Sequence, residues 1–180
     1  MYGPLGARWQ ICFKLSSMEL KANNNPAVYI KLREHVLTMP LPARKDHKVL
    51  MLVMDWYLTS GLASVVAVFD VSASIYLGNG GGFLGGAQKS IAVRTAAAQA
   101  VKVAEQAIAN FQPVQGADLP ERGNVYFYAR TESGLLRAVE TEKHLSDTTS
   151  PLTALGGAMQ NIITQYRFLQ TAQAQPPKTN

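Results

Sequence analysis

Six glycines crowd one short stretch of the chain. The segment LGNGGGFLGGAQKS, residues 77–90, holds Gly78, Gly80, Gly81, Gly82, Gly85 and Gly86, with Lys89 beside them, just ahead of an alanine-rich run. Glycines before a helix let backbone amides approach a phosphate, and the helix N-terminus adds partial positive charge. Gly80, Gly82 and Gly85 spell G-x-G-x-x-G, and Glu105 follows where a ribose-binding acid would stand. Glu105, however, falls inside the helical run rather than after a second strand, so the context of a dinucleotide fold is missing. A P-loop fails on residue type, because Phe83 and Gln88 occupy its two glycine positions ahead of Lys89 and Ser90. Two expectations remain. One is a tight strand-to-helix turn built for packing. The other is a site for a small anionic ligand or nucleotide at Gly80, Gly81, Gly82, Gly85, Gly86 and Lys89.

Elsewhere the chemistry-bearing residues stand alone. His35, His47 and His144 lie far apart and at no ligand-like spacing from Cys12, so neither a metal nor another cofactor is expected. Asp55 and Asp70 are isolated near the ends of apolar runs, each a hairpin residue or half of an acid pair that only the fold would bring together. Ser90, Ser133 and Ser150 read as a helix start, a turn and a cap, with no nucleophile-elbow context. No catalytic constellation is visible. The run RGNVYFYA places Tyr126, Tyr128 and Arg130 on one strand face, which would stack nucleic-acid bases if exposed and would be core if a helix covers it.

The elements that must position these residues follow from apolar spacing. Asn25 can cap a helix with Pro26 in its first turn, whose stripe is Val28, Leu32 and Val36. Three strands are expected next, over 48–58, 64–70 and 73–78, joined by short polar turns that favour an antiparallel meander. The first of them also reads as a buried helix, since its run is continuously apolar. The second is apolar on both faces and calls for cover on both sides, hence a central place. Residues 87–111 form a helix through Val93, Ala97, Val101, Ala104, Ile108 and Phe111. A hairpin, NVYFYART to LLRAVET through ESG, precedes a last helix capped by Ser150, with Leu152, Leu155, Met159, Ile162, Tyr166 and Leu169 on its buried face. Gly156 and Gly157 inside that helix suggest close packing or a bend. The sum is an α+β sandwich: a five-stranded, mostly antiparallel sheet flanked by helices in the order α-βββ-α-ββ-α. Residues 1–25 read as a weakly structured basic extension, 26–170 as a single domain and 171–180 as a disordered tail.

Composition narrows the setting. With 180 residues, 47% of them hydrophobic and 16% charged, the chain suits one domain with a real core. One cysteine, no signal-peptide pattern and no long apolar span predict a cytoplasmic protein without membrane contact. The formal charge of +5 sits within residues 1–48, where eight basic residues face three acids; the remainder balances nine against nine. That distribution argues against nucleic acid as partner of the body and leaves only the N-terminal segment with an affinity for polyanions.

From Val49 to about Leu169, the meander ASVVAVFDVSASIYLGNGGGFLGG, the alanine-rich helix, the strand VYFYART and the helix start SPLTAL resemble a family of small uncharacterised bacterial proteins. That resemblance implies no activity. The architecture is also similar to roadblock and profilin-like domains, which commonly dimerise and scaffold partners. A sandwich without catalytic residues, with strand edges that need covering and paired glycines in its last helix, is expected to be a non-enzymatic interaction module, a homodimer that also takes a protein partner; the alternative is the anion or nucleotide binder at residues 78–90.

Overall fold

The computed structural model describes residues 18–20, 25–58, 61–85, 90–146 and 150–174. In chain order these form β1 (Met18–Leu20), α1 (Pro26–Thr38), β2 (Met51–Leu58), β3 (Gly61–Val68), β4 (Ala73–Leu77), β5 (Gly82–Leu84), α2 (Ile91–Ala107) and a 3-10 turn at Ile108–Asn110. There follow β6 (Gln112–Pro113), β7 (Asn124–Thr131), β8 (Gly134–Thr141), α3 (Glu142–Ser146) and α4 (Thr153–Ala174). The strands make one open antiparallel sheet in the order β1-β5-β4-β3-β2-β7-β8-β6.

The fold is α+β, as the alternation of periods requires, but the expected five strands are too few. Seven strands have three residues or more, and β6 adds a two-residue pairing to Leu136 and Arg137 of β8. The strands missed are β1, β5 and β6, at three, three and two residues. A two-residue period needs more positions than that to show itself. They form because an edge of paired neighbours offers them hydrogen bonds, not because their residues favour extension. Part of the segment expected to be weakly structured thus joins the sheet as β1, and residues 171–174 of the expected tail continue α4. The run RWQICFKL, which reads as a strand, lies outside the described residues.

Two cores share the sheet. Against one face lie α2 and α4, burying Val93, Ala97, Val101, Ala104, Leu155, Met159 and Ile162 with Leu52, Met54, Val65 and Phe127. Against the other lies α1, burying Tyr29, Val36 and Leu37 with Met51, Val53, Val66, Val68, Tyr76 and Tyr128. β3 is apolar on both faces for this reason, and it sits mid-sheet as that pattern demands. Of residues 48–58, Met51–Leu58 form a strand, not a buried helix, and 48–50 lead into it. The alanines of α2 let its axis lie close to α4. Val93, Ala97, Val101 and Ala104 are buried as expected, but the α-helix ends at Ala107, short of the expected 111, with Ile108 in the 3-10 turn and buried Phe111 just beyond it.

α1 corrects the expected stripe. Asn25 caps it, its Oδ1 accepting from the Ala27 amide at 3.1 Å, but of the expected stripe only Val36 is fully buried, and the buried face is Tyr29, Arg33, Val36 and Leu37, with Val28 and Leu32 only partly covered. An arginine in the middle of a buried stripe breaks the apolar pattern from which such a face is read.

Candidate functional site

The glycine turn comes first. Gly80 has φ +82° and Gly82 φ +151°, and a Cβ on Gly82 would come within 2.2 Å of the Ile75 carbonyl oxygen. Only glycine lets β5 approach β4 this closely. Of the expected site residues, Gly80 and Gly81 donate their amides within the turn, and the neighbouring Gly78 donates to β3. Gly78 N–H donates to Leu62 O at 2.7 Å, Gly80 N–H to Leu77 O at 2.8 Å and Gly81 N–H to Asn79 Oδ1 at 3.0 Å. Gly80, Gly81, Gly82 and Gly85 are buried. Gly86 and Lys89 lie outside the described residues. Ser90 caps α2 as expected, its hydroxyl accepting from Val93 at 3.3 Å. Glu105 holds the entry to β2, accepting from the Lys48 amide at 2.9 Å. At the other glycine pair, a Cβ on Gly156 would meet Leu145 of α3 at 3.2 Å, whereas Gly157 faces open space.

A second cluster lies between α1 and the sheet. Asp55 of β2 is wholly buried, and its Oδ2 accepts from Arg33 Nη2 at 2.6 Å and Nε at 2.9 Å. Ser64 Oγ donates to Asp55 Oδ1 at 2.5 Å, so its single proton is used and the Tyr29 hydroxyl is the donor to Ser64 at 3.0 Å. Arg33 also donates to the carbonyls of Ala117 at 2.8 Å and Asp118 at 2.9 Å, and Tyr128 donates to Asp118 O at 2.6 Å. Burial pushes the Asp55 carboxyl above its ordinary range, against the pull of Arg33 and Ser64. Burial alone would lower the Arg33 guanidinium, yet Asp55 holds it above its ordinary value. These tendencies oppose each other across one contact. The geometry decides for a charged pair, because a neutral Asp55 would leave Arg33 buried without a counter-charge. A carboxylate sealed from solvent on all sides cannot exchange protons with a substrate. The cluster is a clamp that ties α1 and the loop 114–120 to the sheet. Spacing in the sequence could not reveal it, since Arg33, Asp55, Ser64 and Asp118 come from four separate segments.

That clamp shapes a surface beside it. The α1 face of β2, β7 and β8 continues past the helix as Tyr57, Tyr126 and Val139, with Tyr126 directly opposite Val139 in the β7–β8 register. Val139 is 49% exposed, and Tyr57 and Tyr126 are half-buried. Two cations lie over the rings: Arg122 4.3 Å from the Tyr57 centroid, Arg137 5.2 Å from that of Tyr126. Arg137 also meets Asp118 at 3.3 Å, on the loop that Arg33 holds. The strand face Tyr126, Tyr128 and Arg130 therefore divides. Tyr128 is core and Arg130 donates to the carbonyls of Leu37 and Met39 at 3.0 and 2.6 Å, so a base-stacking platform over all three is ruled out. Only Tyr126 faces outward. Asp70 serves as a turn residue, its Oδ1 accepting from Ser72 at 2.9 Å.

No protein-family model, curated protein or solved structure matches the chain. Function therefore has to be argued from these surfaces alone. Among the described residues no helix is long and apolar enough to cross a membrane, and no group of three His, Cys, Asp or Glu is placed to hold a metal.

Proposed function

We propose that the protein is a non-enzymatic interaction module that pairs with a second copy of itself through the Tyr57–Tyr126–Val139 surface. The observation that carries this reading is an aromatic and apolar patch on the sheet face beyond α1, with Val139 exposed and Arg122 and Arg137 laid over its rings. Tyrosine and arginine are the residue types that concentrate binding energy at protein interfaces. A second copy is the occupant because the patch is self-complementary in charge. Asp118, 82% exposed at its side chain, and Glu121 stand beside Arg137 and Arg122, so a two-fold axis sets acid against base on both sides. β8 supports it further. Its outward edge is met by Val114, which donates to Leu135 O at 3.0 Å, and by β6 as far as Arg137, so the outward-facing backbone of Val139 extends past the end of β6. A kinship with roadblock and profilin-like domains, which commonly dimerise, would accord with this reading.

Size exclusion with light scattering tests the reading on the full chain. The expected mass is twice 19.5 kDa at high concentration, falling to one chain in Val139→Glu and Arg122→Glu with far-UV circular dichroism unchanged. Each substitution should weaken association at least about tenfold, the ordinary weight of an interface hot spot. A strict monomer at every concentration overturns the proposal, as does a dimer indifferent to both variants.

A further inference from the structure

On the opposite face of the sheet, a cleft of about 240 Å³ opens between β2, β7, α3 and α4, lined by Met54, Trp56, Val125, Glu142, Leu145, Ser146 and Gln160. Its lining is mixed: Met54 and Val125 come from the sheet and Leu145 from α3, with Glu142, Ser146 and Gln160 adding polar groups. One charged group stands in it. Glu142 is partly buried, and its Oε1 accepts from the Trp56 indole N–H at 2.5 Å. Among the described residues no cation comes within 4.0 Å of this carboxylate, in contrast to Asp55, Asp118 and Glu140, each of which has a basic partner. Trp56 is a neutral donor, so the carboxylate can still accept from a cationic group in the cleft. The Trp56 contact also fixes the carboxylate, which removes part of the ordering cost of binding.

From this geometry we infer that the cleft binds a small primary alkylammonium ion, its –NH₃⁺ group on Glu142 and its short chain against Met54, Val125 and Leu145. The volume decides the size. At about 240 Å³ the cleft falls below the roughly 300–1,000 Å³ usual for drug-sized ligands, which suits a short chain. The charge decides the class: an anion would face Glu142, and a neutral alcohol would leave it uncompensated. A primary ammonium offers three donors to the carboxylate, whereas a quaternary ion offers none. A free amine and a lysine side chain share this chemistry.

Titration of the full chain with n-butylammonium chloride tests the inference, followed through the Trp56 indole N–H resonance with sodium chloride matched for ionic strength. The expected result is a saturable shift with n-butylammonium, absent with n-butanol and at least tenfold weaker with tetramethylammonium. Nα-acetyl-lysine amide is the second arm. A response equal to that of n-butylammonium names a lysyl side chain as a possible source, and a much weaker one names a free amine. Glu142→Gln keeps an acceptor for Trp56 but loses the charge, and should weaken binding at least tenfold. Gln160→Phe, at an exposed position on α4, narrows the mouth and should do the same with the carboxylate intact. Should Glu142→Gln fail to fold, Gln160→Phe alone decides. The inference is overturned by no saturable shift up to about 10 mM amine, tenfold above a millimolar dissociation constant, or by binding that both variants leave unchanged. Either result leaves the self-association reading standing, since that surface is on the other face of the sheet.

Discussion

Arg33 and Asp55 show how much one residue pair can organise. The guanidinium spends its donors on a strand carboxylate and on two carbonyls of the loop 114–120, so a single side chain joins three segments. Removing either partner leaves the other buried and unpaired. Arg33→Ala or Asp55→Ala is therefore expected to cost about 3–5 kcal/mol, read from urea unfolding. The double replacement Arg33→Met with Asp55→Leu should cost clearly less than the two singles added together, because it removes both charges at once. It should not recover everything, since the Ala117 carbonyl loses its donor. Equal, additive losses would show that the pair is not coupled. The same double variant disorders the support of Asp118 and should weaken self-association, although it lies beneath the surface.

The elements that close the molecule meet at Glu140, near the end of β8. Its Oε2 accepts from Ser150 Oγ at 2.8 Å and its Oε1 from the Thr141 amide at 2.9 Å, with His144 at 3.0 Å. One carboxylate thus ties β8, α3 and the start of α4. Burial raises the carboxyl, but the Thr141, Ser150 and His144 contacts outweigh it and hold it below the ordinary value of 4.5. A carboxyl depressed in the folded state stabilises above its unfolded value, and that contribution is lost as pH falls through the depressed one. Glu140→Gln should then lower stability at pH 7 by about 0.5–1.5 kcal/mol. The difference from the parent should vanish as pH falls below the ordinary carboxylate range. Chemical unfolding at both pH values checks this, and a gap that persists in acid would assign the effect to packing instead. Ser150 was readable as a cap; its hydroxyl accepts from the Leu152 amide at 3.2 Å, in the turn that leads into α4 at Thr153. That the same hydroxyl reports to Glu140 was not readable, because β8 and α4 are joined only in space.

Across the whole molecule, two cores lean on the same strands. Met51 and Val53 face α1 while Leu52 and Met54 face α2 and α4, so neither core can open without exposing the other side of β2. Unfolding should be a single cooperative transition. Leu155→Ala in one core and Tyr29→Ala in the other should each shift the whole transition by about 2–5 kcal/mol, with near-UV and far-UV signals moving together. Separate transitions would divide the molecule in two.

Some of this architecture was legible in residue order, and some was not. Helices α2 and α4 and the hairpin β7–β8 are carried by apolar spacing and turn residues, and the centrality of β3 by its two apolar faces, which a sequence displays directly; the choice of strand for β2 and the buried face of α1 are not so displayed. The glycine stretch was narrowed to packing or an anion site. The tertiary structure then showed why Gly82 is glycine, through the Ile75 carbonyl that lies against it. What residue order could not show is every feature built from distant segments: the short edge strands, the Arg33–Asp55 clamp, the Tyr126–Val139 surface and the Trp56–Glu142 cleft. Local energetics decide helices and long strands. Pairing of charges and aromatic rings depends on which segments the fold brings within a few ångströms, and that distance is set by the two cores rather than by any motif.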